Sequence, residues 1–235
     1  MTPLSLIDAA FFSWRDAAAL GLFLLLWFGM TWAIERAPAR RPSTAQVMGR
    51  YRMRWMEQML LREPRILDGA LLAQLRSGTA FFASGCMIAI GGAAALLGQA
   101  EQVVSLAQDL SADQLEISRT TSEAKILFLV VLLVSAFLRF VWAHRLFGYC
   151  AILMGAVGRD ADEAENQRIA RKAGLLNISA GKSFNRGLRQ LYFCLAALAW
   201  FLGPEAFGCA TLATAAVLHR REFRSDSRKA LLDDD

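Results

Sequence analysis

The sequence predicts an all-α protein, a polytopic α-helical membrane bundle. Two observations carry that prediction: several apolar runs are close to bilayer length, and the charges between them are sorted by sign. Inside hydrocarbon each backbone N–H and C=O must be paired within its own segment, so a spanning run is expected to be a helix. Composition agrees. The 235 residues are 55% hydrophobic, with a mean hydropathy of +0.34, whereas a soluble domain is roughly 45–50% apolar.

The first run, residues 17–34, carries no charge. At 1.5 Å per residue it reaches about 27 Å, near the roughly 30 Å of a hydrocarbon core. It is too long for a signal-peptide core and lacks a clear small-residue cleavage site, so it is expected to remain as a span. Residues 35–77 follow, with nine arginines against four acids, and Pro38 and Pro42 interrupt any early helix. From 44 to 62 the pattern turns helical. Met48, Tyr51, Trp55 and Met59 recur at helical spacing, while Arg50, Arg54 and Glu57 fall elsewhere. Such a segment fits a cytoplasmic amphipathic helix, lying in the membrane interface or packed on the protein's own inner side.

The second span is expected at 78–98. There Gly85, Ala89 and Ala93 recur every fourth residue and leave one face nearly bare, as in close helix packing within lipid. The connection 101–123 is acidic, and its leucines and valines suggest short helices on the outer surface. The third span is expected at 125–148, in an apolar stretch that continues to 157. Residues 158–189 hold seven basic and four acidic residues. A charged helix over 163–172 is expected there, with Gly174 as its stop. The last apolar stretch, 190–218, is interrupted at Gly203-Pro204-Glu205. Glycine suits the position just past a helix end and proline the first turn of the next. The stretch therefore reads as two helices, 186–202 and 204–220, rather than one kinked helix.

Orientation follows from arginine and lysine, which are enriched in cytoplasmic loops. The nine-arginine loop belongs inside, so the N-terminus is expected outside. The acidic connection is then outside and 158–189 inside. Five crossings also bring the basic tail HRREFRSDSRK inside; four would leave it outside. The expected location is a bacterial inner (plasma) membrane, with the C-terminus cytoplasmic.

Four segments in order resemble one family. They are GTAFFAS at 78–84, HRLFGYCAILMGA at 144–156, FNRGLR at 184–189 and RREFRS at 220–225. Their order and spacing resemble the bacterial and plant membrane proteins grouped as domain of unknown function 599. The resemblance implies a multi-pass helical membrane protein and carries no established activity.

Polar groups within or beside the spans are the candidates for function, because each is costly if left facing lipid. Arg139 stands out within the third span. It can snorkel to the inner headgroups, form a structural ion pair, or serve transport or catalysis. His144 and Arg145 follow it. Asn185, Arg186 and Arg189 stand at the start of the fourth helix and, with Arg50, Arg52 and Arg54, form an expected basic inner collar. Such a collar attracts anionic headgroups or an anionic solute. Glu205 is expected at the outer surface, in the favourable first turn of a helix. In a single kinked helix it would instead lie deep, with Arg139 as its partner.

Several classes find no support. Gly181-Lys182-Ser183 lacks the glycine that a phosphate-binding loop needs at 176, where Leu176 stands. Asn177-Ile178-Ser179 matches a glycosylation sequon but is expected in the cytoplasm. Two histidines, His144 and His219, are too few for a usual zinc site, and the four cysteines form no CxxC pair. Cys86, Cys150, Cys194 and Cys209 read as buried thiols. No cofactor, metal or nucleic-acid partner is expected. The expected role is a non-enzymatic assembly, accessory or lipid-interacting protein whose partners are the anionic bilayer and either its own copies or another membrane protein. The alternative is a small transporter or channel for an anionic or amphiphilic solute.

Overall fold

The computed structural model describes residues 13–99, 119–158 and 162–232. Among them the secondary structure is helical. We number seven α-helices: α1 (Trp14–Glu35), α2 (Thr44–Met59), α3 (Ile66–Leu97), α4 (Arg119–Gly155), α5 (Glu163–Leu198), α6 (Pro204–Phe223) and α7 (Asp226–Ala230). The expected outer helices of 101–123 fall mostly outside the described residues.

Three helices, α1, α3 and α4, are long and apolar enough to cross a membrane. Their outward residues are large and hydrophobic: Leu25, Phe28 and Trp32 on α1, Phe81 and Ile88 on α3, Leu127 and Val131 on α4 are all more than half exposed. Apolar surface of that extent is a face for lipid rather than for water.

Helix ends follow from local chemistry. Ser13 and Asp16 exchange hydrogen bonds at the start of α1, each side chain accepting from the other's backbone N–H. Ser43 and Gln46 form a capping box on α2. The same two side chains reach back to α1. Ser43 Oγ donates to the Ile34 carbonyl (2.9 Å), and Gln46 Nε2 donates to the carbonyls of Glu35 and Ala37 (3.2 and 3.1 Å). Carbonyls at the end of α1 are thereby satisfied across the proline-containing turn. Gly203, at φ 119°, occupies a region open to glycine. It ends a 3₁₀ turn over Ala199–Leu202, and Pro204 then starts α6. The last apolar stretch is thus two helices, divided where the Gly-Pro pair stands.

The chain forms two compact units. Unit 1 comprises Met1–Trp32, Met87–Val134 and Arg189–His219; unit 2 comprises Ala33–Cys86, Ser135–Leu188 and Arg220–Asp235. Unit 1 is built around the fully buried ring of Phe23, with Phe128, Phe193 and Phe207 at centroid distances of 5.5, 5.4 and 5.2 Å. Trp200 stacks on Phe207 at 4.8 Å. Unit 2 has an aromatic group of Phe82, Phe140 and Phe184 and a second cluster around Met56, Met59, Phe147 and Cys150. In lipid such contacts act through van der Waals packing rather than water exclusion.

Four expectations change. α3 begins at Ile66, a dozen residues before the expected span, because 66–77 continues a helical pattern that the charged flank obscures. α4 likewise runs from Arg119 to Gly155, beyond both ends of the expected span. Gly174 does not stop a helix; it lies inside α5. A Cβ there would sit 2.5 Å from Met53 Sδ, so glycine serves the close approach of α2. Cys86, Cys150 and Cys194 are buried as expected, but Cys209 is exposed. It lies off the buried stripe of α6 formed by Phe207, Thr211, Ala215 and Leu218.

The face of α2 also divides. Met59 is buried and Trp55 half-buried, while Met48 and Tyr51 are exposed. α2 therefore packs on its own unit through one end of the expected apolar face.

A Cβ at Gly187 would meet the Phe140 ring at 2.8 Å, whereas one at Gly85 meets nothing within 4 Å. Gly187→Val is expected to destabilise the protein by about 1–3 kcal/mol, read as a lower melting midpoint in detergent. Gly85→Val is expected to leave the midpoint of the isolated chain unchanged.

Candidate functional site

Of the expected inner collar, Arg50, Arg52, Arg54, Asn185 and Arg186 lie in unit 2 and Arg189 in unit 1; the contacts around Arg186 are built on α1, α4 and α5. Arg186 of α5 pairs with Glu35 at the end of α1 through two nitrogens, Nε at 2.6 Å and Nη2 on the second oxygen. This forked geometry is the strong form of an arginine–carboxylate contact. Arg139 of α4 is half-buried and within electrostatic reach of both Glu35 and Arg186. Ser183 Oγ donates to the Arg139 carbonyl at 2.8 Å and ties α5 to α4. Glu35 is thus the carboxylate of the collar, which its place at the end of an apolar run did not advertise.

His144, also on α4, faces α3. Its Nε2 lies 3.4 Å from Arg76 Nη2 and its Nδ1 lies 3.1 Å from Thr79 Oγ1. An arginine can only donate, so Nε2 accepts and the proton belongs on Nδ1. Thr79 Oγ1 accepts that proton's bond and donates its own hydrogen to the Arg76 carbonyl at 2.6 Å. His144 therefore links two groups of α3. Arg145 is exposed and donates to the Tyr149 hydroxyl one turn on. Asn185 is half-buried on α5.

Of the other candidates, Arg189, Glu205, Ala89 and Ala93 lie in unit 1 and Gly85 in unit 2. Arg189 is 4% exposed, beside the fully buried Gln190, whose Nε2 donates to the Leu132 carbonyl at 2.7 Å. Glu205 pairs with Arg15 at 3.1 Å, with both side chains more than 60% exposed. It stands in the first turn of α6, and the deep Arg139 partnership of a single kinked helix has no basis here. Of the small-residue face, Gly85 and Ala89 are exposed and Ala93 is buried.

Two polar groups, Asp68 and Lys125, went unsingled in the sequence, and the collar residue Arg52 gains a partner in the structure. Asp68 is fully buried and accepts from Trp55 Nε1 (2.7 Å) and Arg62 Nη2 (2.8 Å). Arg52 donates to Asn177 Oδ1 and lies over the Phe147 ring. Burial pushes its guanidinium below the usual arginine value, and the Cys150 thiol opposes that shift. In unit 1, Lys125 Nζ donates to the Trp200 carbonyl at 3.0 Å, while Trp200 Nε1 donates to Asp16 Oδ1 at 2.7 Å. Apart from Asp68 with Arg62, these contacts join residues 13 or more positions apart in the chain, so spacing alone gave no signal.

What the arrangement offers chemically is positive charge. Among the described residues unit 1 holds four basic and three acidic residues, and unit 2 holds twenty-one and nine. Their net charges are therefore +1 and +12. Among the described residues no group of His, Cys, Asp and Glu is placed to hold a metal ion. Guanidinium groups are suited to phosphate and carboxylate partners, and they supply neither a nucleophile nor a general base at neutral pH.

A family profile described as "Protein of unknown function, DUF599" matches residues 18–227. No curated protein and no solved structure matches the chain. The matched region spans most of both units, and the chain belongs to that family.

Removing the Asp68 carboxylate leaves Trp55 without its acceptor and Arg62 without its counter-ion. Asp68→Ala is expected to destabilise the protein by roughly 2–3 kcal/mol, below the full value for a buried pair because Arg62 is partly exposed. A thermal or denaturant melt in detergent reads this. Arg62→Ala, which leaves the fully buried Asp68 carboxylate with the Trp55 N–H but no counter-ion, is expected to cost at least as much.

Proposed function

We propose that this DUF599 chain is a non-enzymatic, multi-pass inner-membrane protein that binds anionic headgroups along its arginine-rich unit and acts by assembling with membrane partners. One observation carries the reading: among the described residues the charge divides into +1 for unit 1 and +12 for unit 2. A cytoplasmic leaflet rich in anionic lipid attracts basic segments by about 1 kcal/mol per residue near its surface. Unit 2 is then the cytoplasmic side, with α2 on it at the membrane interface. α5 and α6 add to the three apolar helices for five crossings, with the N-terminus outside and the C-terminus inside.

Exposed Gly85 and Ala89 on α3 support assembly, because a bare helix face admits a close neighbour. Purification in gentle detergent through a tag at Asp235 tests the reading. The expected result is a discrete oligomer or a stoichiometric membrane partner, with anionic phospholipid retained. A bare monomer without lipid would contradict it. Bulky substitution at Gly85 and Ala89 is expected to shift the native mass without lowering yield of the folded chain.

A second reading, a small transporter for an anionic or amphiphilic solute, rests on Arg189, held 4% exposed beside the fully buried Gln190. Buried ionisable groups within spans often mark a solute path. Anion flux in liposomes containing the protein supports it, and flux equal to that of empty liposomes removes it.

A C-terminal reporter fusion is expected to be active in the cytoplasm and silent outside it. Activity confined to the outer side would overturn the five-crossing topology.

A further inference from the structure

We propose that the α1–α2 turn and the C-terminal tail form one basic ridge that binds several anionic phospholipid headgroups of the cytoplasmic leaflet at once. The proposal rests on the headgroup-binding reading above and gives it a place.

The two segments are held side by side within unit 2. Arg228 Nε of the tail donates to the Pro42 carbonyl of the turn at 2.9 Å, across 186 positions of sequence. Thr44 Oγ1 donates to the Glu222 carbonyl at 3.2 Å, and the Ala45 N–H donates to Glu222 Oε2 at 3.2 Å. Glu222 thereby meets an open N–H at the start of α2, where a carboxylate is favoured. Ser225 Oγ accepts from the Arg228 N–H at 3.1 Å and caps α7, which sets Arg228 in place.

This joint leaves the positive charge outward. Residues 36–43 and 220–232 hold eight basic residues and two acids. Both acids are engaged, Glu222 on α2 and Asp226 with Lys229 at 2.9 Å. Arg40, Arg41, Arg220 and Arg224 are exposed. The Arg224 N–H bonds to the Arg220 carbonyl at 2.9 Å, so these two arginines stand one helical turn apart on the same side. Like charges so placed repel, and an anionic surface offsets that repulsion. Each exposed guanidinium meets its own headgroup, and no single phosphate has to span two. Pro38 and Pro42 stiffen the turn that carries Arg40 and Arg41, which lowers the ordering cost of binding.

Position favours lipid as the occupant. The turn follows α1 and the tail follows α6, so in the five-crossing reading both stand where a crossing ends, at the level of the inner headgroups. A single-stranded nucleic acid is bound by aromatic rings on which its bases stack. The ridge has one such ring, Phe223, and it is half-buried.

The test uses the purified full chain in phosphatidylcholine nanodiscs doped with phosphatidylglycerol. It counts retained phosphatidylglycerol by native mass spectrometry after release from the disc. Three variants separate arrangement from charge. Arg41→Gln with Arg220→Gln and Arg224→Gln strips the ridge. Arg168→Gln with Arg171→Gln and Lys172→Gln removes as many exposed charges from α5. Glu222→Ala undocks the tail while making the chain more positive. Wild type and the α5 variant are expected to retain phosphatidylglycerol equally, and the stripped ridge about tenfold less. Glu222→Ala is expected to retain about threefold less, the avidity lost when two linked segments part. Elution profiles are expected to stay unchanged throughout. Equal losses in the ridge and α5 variants would make the effect one of general charge, overturning the ridge and leaving the headgroup-binding reading standing. Full retention by the stripped ridge would do the same. Retention by Glu222→Ala at or above the wild-type level would overturn the joining of turn and tail into one site. No retention by wild type would overturn both the ridge and the reading. Nucleic acid co-purifying in place of lipid would overturn the lipid in favour of a polynucleotide.

Discussion

A guanidinium cannot face hydrocarbon alone: it needs a counter-ion, a hydrogen-bond acceptor or a path to water. Most of what is distinctive here follows from that constraint. Of the twenty-five described basic residues, twenty-one belong to unit 2. Those on helices that flank the apolar runs are held by named partners. Arg186 has Glu35, Arg76 has His144, and Arg52 has Asn177. The surfaces left outward on α1, α3 and α4 are accordingly free to be leucine, phenylalanine, isoleucine and valine. The arginines that tie helices together are also those that give the unit its positive field, so its packing and its affinity for anions share one cause.

Unit 1 meets the same constraint with few charges. Its buried lysine, Lys125, is satisfied by the Trp200 carbonyl and lies 5.4 Å from the Trp200 ring centroid. The indole N–H of Trp200 returns to Asp16, which also caps α1. One tryptophan thereby joins the starts of α1 and α4 to the end of α5. Gly203 then turns the chain into α6 three residues later. Trp200 and Gly203 act together: the first anchors the end of α5, and the second permits the reversal.

Much of this was legible in the sequence because bilayer thickness and charge bias act on whole segments. The apolar runs, the Gly203-Pro204 break and the family were all readable from composition, turn chemistry and motif order. Helix ends beyond the apolar runs were not. α3 and α5 extend into charged sequence, where tertiary packing rather than hydropathy keeps the helix going. Gly174 shows the ambiguity of a single letter: glycine marks a helix end in one context and a tight helix crossing in another. The polar pairs were least legible. Glu35 with Arg186 and Asp68 with Trp55 depend on which helix faces which, and a lone sequence holds no information on that. His144 was singled out for its depth; its partner Arg76 was not, because it read as one more positive charge inside.

The central proposal is that α6 crosses the bilayer, with Glu205 at its outer end and the basic tail inside. Impermeant thiol labelling at its two ends tests this most directly, in a chain freed of its own cysteines. Glu205→Cys is expected to be labelled from outside intact cells, and Arg224→Cys only after the membrane is opened. Labelling of both positions from the same side would contradict the account.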